Sequence, residues 1–254
     1  MRTATIALNT FREAIRDRIL YSLLVFALAM LGASVILSRL TVGGEVKIIK
    51  DLGLAAIGLV GTLIAVFIGV GLVHKEIERR TLYTIITKPI RRADFVLGKF
   101  LGLAITLAVN VAVMGAGLVL LASAMEDRLT WELLLPVALT LLKLLVVTAI
   151  AVLFSTFSTP TLSAIFTLAL VVVGSLAEDL KLFAATFGGS LLQAVVTGVY
   201  LVLPNLASLD VGSAVVHGRP VPAAVAALAA AYGLAYVAAL LTVAVWIFQY
   251  RDFK

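Results

Sequence analysis

Lys143 is the one formal charge that sits well inside a long apolar run of this chain, LLLPVALTLLKLLVVTAIAVLF. An ammonium near the middle of a membrane helix costs about 2.5–3.5 kcal/mol on insertion scales. The position therefore marks either a solute path or a side chain that reaches an interface one helical turn away. Asn110, in another apolar run, offers an amide that either bonds a neighbouring helix or faces such a path. Glu178 and Asp179 form a carboxylate pair of the kind that does acid–base work or holds a cation. Adjacent residues leave a helix in different directions, however, and fit a solvated rim better. With two histidines, His74 and His217, and no cysteine, the chain has neither a thiolate nucleophile nor a disulfide framework. Ser155, Thr156, Ser158 and Thr159, just before Pro160, read as a tight turn whose hydroxyls satisfy freed carbonyls. No nucleophile is spaced so as to meet a base, which argues against a hydrolase buried in a membrane. The lone Gly-Lys pair, Gly98-Lys99, is followed by Phe100, so the phosphate-cradling pattern GxxxxGK-Ser/Thr is missing.

The elements that position these residues follow from composition. The chain has 254 residues, of which 62% are hydrophobic and 13% charged, against about one-quarter charged in an average soluble domain. The apolarity is blocked into runs of about 20 residues, the length that crosses a hydrocarbon layer of about 30 Å as a helix. Helices are the economical spanning element here, because backbone groups in lipid must find partners within their own segment. The predicted fold is all-α, a polytopic membrane protein in one domain over 1–254. Its six spans are Leu20–Leu37, Leu52–Val73, Leu97–Ala122, Leu133–Phe154, Thr161–Ala177 and Val221–Phe248. The first run follows Arg12, Glu13, Arg16, Asp17 and Arg18 without a small-x-small cleavage pattern and reads as a retained span. Before it, within 1–19, Leu8, Phe11, Ile15 and Ile19 fall at helical spacing beside charged neighbours, the pattern of an amphipathic interfacial helix. The longest hydrophilic connections are 74–96 and 178–220. Within the second, Leu191–Leu203 is apolar over 13 residues, too short for an ordinary span and better suited to a re-entrant or interfacial helix.

Basic residues set the expected orientation. With the N-terminus inside, Arg2, Arg12, Arg16, Arg18, Lys75, Arg79, Arg80, Lys88, Arg91, Arg92, Lys99, Arg251 and Lys254 are cytoplasmic, thirteen of the twenty Lys and Arg. Arg39, Lys47, Lys50, Arg128, Lys181 and Arg219 fall outside. The bias places both termini in the cytoplasm and the connection 178–220 on the extracytoplasmic side. His74 and His217 then lie on opposite sides and share no metal. The net charge of +6 belongs to span-flanking cations without interleaved aromatic platforms, so nucleic acid is not an expected partner.

The stretch HKEIERRTLYTIITKPIRRADFVLGKFLG, from His74 to Gly102, holds the densest information. Alternating charge at Lys75, Glu76, Glu78, Arg79 and Arg80 leads into Leu82, Tyr83, Ile85 and Ile86, an apolar stripe on a short helix that Pro89 would stop. Arg91 and Arg92 precede Asp94, a candidate N-cap for the third span, and Gly98 and Gly102 form a GxxxG that lets a helix approach closely. A short amphipathic helix held between two spans offers a rigid knob to a soluble partner, although a basic loop also serves topology alone.

Together with the opening IALNTFREAIRDRIL, this stretch resembles the permeases of the ABC-2 type superfamily, the membrane subunits of export-type ATP-binding-cassette transporters. The resemblance rests on Glu76, Glu78, Thr81, Leu82, Pro89, Arg91, Arg92, Gly98 and Lys99, and on Leu203-Pro204-Asn205-Leu206 before the last span. It implies a coupling helix between spans two and three that seats on a separate ATPase through Glu76, Glu78, Arg79, Arg80, Leu82, Tyr83, Pro89, Arg91 and Arg92. It also implies a second permease copy, identical or paralogous, in the plasma membrane, with ATP and Mg held by the ATPase and no cofactor on this chain. Two other readings stay open from residues alone: an ion- or proton-driven carrier, for which Lys143 is the sole intramembrane charge, and a membrane scaffold that transports nothing. Asn110 and Lys143 are the candidate path residues. The substrate is not written in the sequence, because apolar helices lining a cleft look like those facing lipid.

Overall fold

The computed structural model describes residues 2–39, 44–78, 92–187, 189, 193, 196–198, 200 and 203–250. It is helical, with no strand among the described residues. The helices are α1 (Arg2–Ile15), α2 (Arg18–Ser38), α3 (Glu45–Glu78), α4 (Arg92–Glu126), α5 (Leu134–Ser155), α6 (Pro160–Ser175), α7 (Ala177–Phe187), α8 (Gly212–Val216) and α9 (Ala223–Tyr250). Short 3-10 turns precede α5 at Trp131–Leu133 and α8 at Ala207–Leu209. Five of these, α2 to α5 and α9, are each long and apolar enough to cross a bilayer. The pair α6 and α7, bent by 56° at Leu176, forms the sixth candidate crossing. The chain is thus an all-α polytopic membrane protein.

Local chemistry explains most boundaries. Asp17 caps α2, its carboxylate accepting the Ile19 N–H at 3.0 Å, and so separates α1 from the first spanning helix. Pro160 opens α6 in the first turn, where its missing N–H costs nothing. Two expectations need correction. The third spanning helix starts at Arg92, five residues before Leu97. Asp94 therefore lies inside its first turn rather than at the N-cap, and its carboxylate accepts the Thr3 hydroxyl of α1 at 3.0 Å. The fifth predicted span, Thr161–Ala177, runs across the bend. At that point the Gly174 carbonyl accepts the Leu206 N–H at 3.0 Å, and a Cβ on Gly174 would lie 2.5 Å from the Pro204 carbonyl oxygen. The returning chain occupies the space a side chain would take.

Packing is concentric. Of the apolar window in α3, 67% is buried, against 22% in α2 and in α9, so α3 is central while the outer two present broad apolar faces to their surroundings. Tyr21, Val25 and Phe26 on α2, and Leu228, Leu234 and Trp246 on α9, are half exposed or more. On α4, Leu97, Leu101, Ile105, Val109 and Val113 recur every fourth residue as one exposed stripe, while Leu103, Leu107, Met114 and Leu118 face the core. Such a division suits lipid on one side and helices on the other. Arg79, Arg80, Leu82, Tyr83, Pro89 and Arg91, expected to seat on an ATPase, lie outside the described residues, as does most of Leu191–Leu203. Glu76 and Glu78 belong to the helical backbone of α3.

Candidate functional site

Two ends of the bundle gather the polar residues. At one end, which holds α1 and the end of α9, the first three turns of α4 form a hub. The small-residue face of α1, with Ala7, Thr10 and Ala14 buried, lies against Gly98 and Gly102. A Cβ on Gly102 would sit 2.6 Å from the Ala7 carbonyl oxygen and 2.5 Å from the Thr10 Cβ, and one on Gly98 would sit 2.7 Å from the Ile6 Cβ. The GxxxG read from the sequence thus receives the N-terminal helix rather than another span. That leaves Leu8, Phe11 and Ile15 of α1 half-buried or exposed, turned partly away from the bundle as an interfacial helix requires, whereas Ile19, expected in the same stripe, lies beyond the Asp17 cap in α2.

Charges close the same hub. Lys99 is 2% exposed, and its ammonium lies 3.8 Å from the Glu13 carboxylate on α1. The Arg92 guanidinium donates to the Phe248 and Gln249 carbonyls at 3.1 and 2.8 Å, satisfying acceptors that the C-terminus of α9 leaves unpaired. The Phe95 and Phe248 rings stack below it with centroids 5.6 Å apart. One helix start, within the last residues of the 74–96 connection, therefore holds both α1 and α9.

The opposite end is built differently. A cleft of about 680 Å³ opens between α2, α3, α5 and α6 and the segment leading into α8. Lys143 lines it, and its ammonium meets Asp210 at 3.2 Å. Asp51 of α3 shares the cleft, with Thr62, Thr140, Ser175 and Ser213 supplying hydroxyls and leucine and valine side chains most of the remaining wall. Lys143 escapes the full cost of burial because it reaches the Asp210 carboxylate at the helix ends. Asn110 has another fate. Its side chain is 4% exposed, its Nδ2 donates to the Thr106 carbonyl one turn back at 2.8 Å, and it does not line this cleft.

Beside the cleft, the returning segment is pinned by Asn205. Its backbone N–H donates to the Tyr232 hydroxyl of α9 at 2.8 Å, and its Nδ2 donates to Glu178 of α7 at 3.2 Å and to Tyr200 at 3.1 Å. A second polar knot joins α3 to α4: Lys50, 6% exposed, pairs with Glu126, which together with Glu132 also holds Arg128 at 2.9 and 2.6 Å. Asp51 and Asp210 carry no mark in the sequence, and Lys50 stands there only as one of the outer cations. The signal available for Asn205 was its place in Leu203-Pro204-Asn205-Leu206, while Asp210 lies 67 residues from its partner.

The described residues hold no group of His, Asp and Glu side chains able to bind a metal ion. What the arrangement can do is mechanical: a braced end, an open end, and helices long enough to join them across a membrane. None of the curated proteins matches the chain. The family model described as ABC-2 family transporter protein matches residues 4–253, almost from end to end, and the chain belongs to that family of membrane transport proteins.

Proposed function

We propose that this chain is the membrane-spanning subunit of an ATP-driven exporter whose ATP and Mg are bound by separate ATPase subunits. It works as a pair with a second permease copy in the plasma membrane, with both termini and the 74–96 connection on the cytoplasmic side. The ATPases seat on that connection through Glu76, Glu78, Arg79, Arg80, Leu82, Tyr83, Pro89, Arg91 and Arg92. The observation that carries the reading is the hub at the start of α4. Whatever displaces the connection displaces Arg92, and Arg92 is bonded to the end of α9 while Asp94, Gly98, Lys99 and Gly102 grip α1. A push would move three helices as one body, the rigid-body type of transition that converts a local event into a global one. At the other end the cleft, flanked by α2, α3, α5 and α6, is the space whose shape such a motion changes, and Lys143 lies on its wall. Asn110, the other path candidate, is bonded within α4 to the Thr106 carbonyl and is not on that wall. Nucleotide binding favours one state only by making different contacts with each, which is the role of the ATPase surface.

The test is co-purification in detergent of this chain with a co-expressed ATPase of the same transporter class. The complex should hydrolyse ATP only when the partner's nucleotide site is intact, and Arg79→Glu with Arg80→Glu should uncouple it. Labelling that placed residues 79–91 on the external face would overturn the topology, and vesicle flux unaffected by removing the ATPase would overturn the mechanism.

A further inference from the structure

We propose that the open-end cleft binds a monocationic amphiphile, an apolar body bearing one ammonium, phosphonium or guanidinium-like charge, with Asp51 as its counter-ion. This names a ligand class for the transport reading above and rests on it for biological meaning, though not for the binding itself.

Three features of the cleft lead there. Its size suits one such molecule: about 680 Å³ of space, extending along α3 from Asp51 to Thr62, a rise of roughly 16 Å at 1.5 Å per residue. Its walls are mainly apolar, with Leu54, Leu59 and Val171 among them, so the body of the occupant is apolar. Its charges then decide the sign of the head. Two carboxylates and one ammonium line it, and the ammonium of Lys143 is already matched by Asp210 at 3.2 Å. Asp51 has no ion-pair partner among the described residues, and the cleft is left with one net negative charge. Asp51 is exposed, so a cationic head group can reach its carboxylate directly while the apolar body lies along the walls. An anionic amphiphile of the same shape meets Asp51, and among the described residues that line the cleft Lys143 is the one cation and is already paired. A neutral one leaves the carboxylate without a partner.

The test uses two tetraaryl ions of nearly the same shape and opposite sign. Radiolabelled tetraphenylphosphonium and tetraphenylborate are equilibrated separately with the full-length permease in lipid nanodiscs, and protein-free nanodiscs are subtracted. Saturable binding of the phosphonium and none of the borate is expected. Asp51→Asn should weaken phosphonium binding about tenfold, equivalent to about 1.4 kcal/mol, and Asp51→Glu should restore most of it. Lys143→Gln removes the positive charge and frees Asp210, so it should tighten phosphonium binding severalfold, a gain that mere damage to the fold would not produce. Equal binding of both ions, an unchanged affinity in Asp51→Asn, or a loss in Lys143→Gln matching that in Asp51→Asn would each overturn the proposal. No ATP is needed, so the two readings fail separately. Absent phosphonium binding in a permease that still assembles with its ATPase refutes the ligand class alone, whereas retained binding without any ATPase partner upholds the cleft and refutes the transport mechanism.

Discussion

The two ends of the bundle solve opposite problems with the same material. At the end that holds α1 and the close of α9, glycines let backbones touch, Lys99 is buried beside Glu13, and Arg92 fastens α4 to the end of α9. At the other end, beside the knots around Lys50 and Asn205, the charged groups that line the cleft stand around a space, and among the described residues one ion pair, Lys143–Asp210, joins them. Close contact gives stiffness because packed interiors resist continuous deformation. A cleft of this size gives that up along part of α3, α5 and α6. The contrast suggests a division of labour in which force is received where packing is tight and is expressed where packing is open.

The most damaging way to break this comparison is to fill the gap at the braced end. Gly102→Leu would drive a side chain into the Ala7 carbonyl and Thr10, where the nearest atoms include backbone and cannot swing aside. Overpacking of this kind costs about 1–3 kcal/mol, and this site should lie at the top of that range. The expected result is a lower melting temperature in detergent and a drop of tenfold or more in ATPase stimulation by the permease, while tetraphenylphosphonium binding at the far end persists. If cleft binding collapsed with it, the two ends would not be separable.

Next in size is Lys50→Met, which asks whether the open end has a stiff part of its own. Removing one partner of a fully buried ion pair costs about 3–5 kcal/mol. Here the Glu126 side chain is 18% exposed and Arg128 remains beside it, so a loss of about 2 kcal/mol is expected. Adding Glu126→Gln should recover most of that loss, because the stranded charge is gone. A double variant as unstable as the single one would mean the pair was not the cause.

How far these features were readable beforehand differs between the ends in the same way. The amphipathic α1, the spanning helices and the GxxxG are local patterns, set by spacing within one segment, and the structure has each of them, with α1 ending at Ile15 and the fifth span broken at Leu176. What Gly98 and Gly102 receive was not local: the partner is α1, some ninety residues earlier, and its small face of Ala7, Thr10 and Ala14 carries no signal by itself. Asp94 reads as an N-cap from sequence because a carboxylate before an apolar run is the usual signature. The helix instead begins two residues earlier, at Arg92, whose guanidinium bonds the end of α9. The cleft was the least legible part. Lys143 stood out by being charged among leucines, but Asp51 and Asp210 look like ordinary polar residues near helix ends. The bend at Leu176, which carries the chain toward Asp210, follows from a backbone contact with Gly174 that no periodicity encodes.

Arg92→Ala sharpens the comparison at the braced end with a smaller effect. The guanidinium donates to two carbonyls, but it is exposed, so water replaces part of what is lost. A destabilisation of about 1 kcal/mol is expected. Coupling should suffer more than stability does, because the link between α4 and α9 is weakened while the Phe95–Phe248 stack remains. Hydrogen exchange across residues 240–250 should rise selectively, and exchange that rose equally throughout α9 would speak against a local bond.

The smallest expected change in stability comes from Lys143→Met, and it separates the ends most cleanly. The lysine side chain is 16% exposed and its partner Asp210 is 55% exposed, so the pair is close to a surface salt bridge, worth about 0.2–1 kcal/mol. Methionine also keeps much of the length and removes the cost of placing an ammonium along an apolar helix, which offsets part of the loss. Thermal melting should therefore move by only a few degrees or not at all, whereas the charge of the cleft changes by a full unit. If melting instead fell as far as in Lys50→Met, the Lys143–Asp210 pair would be a structural tie like the knot around Lys50. The open end would then be held shut by the same kind of bond that braces the other, and the proposed difference between a stiff end and a yielding one would disappear.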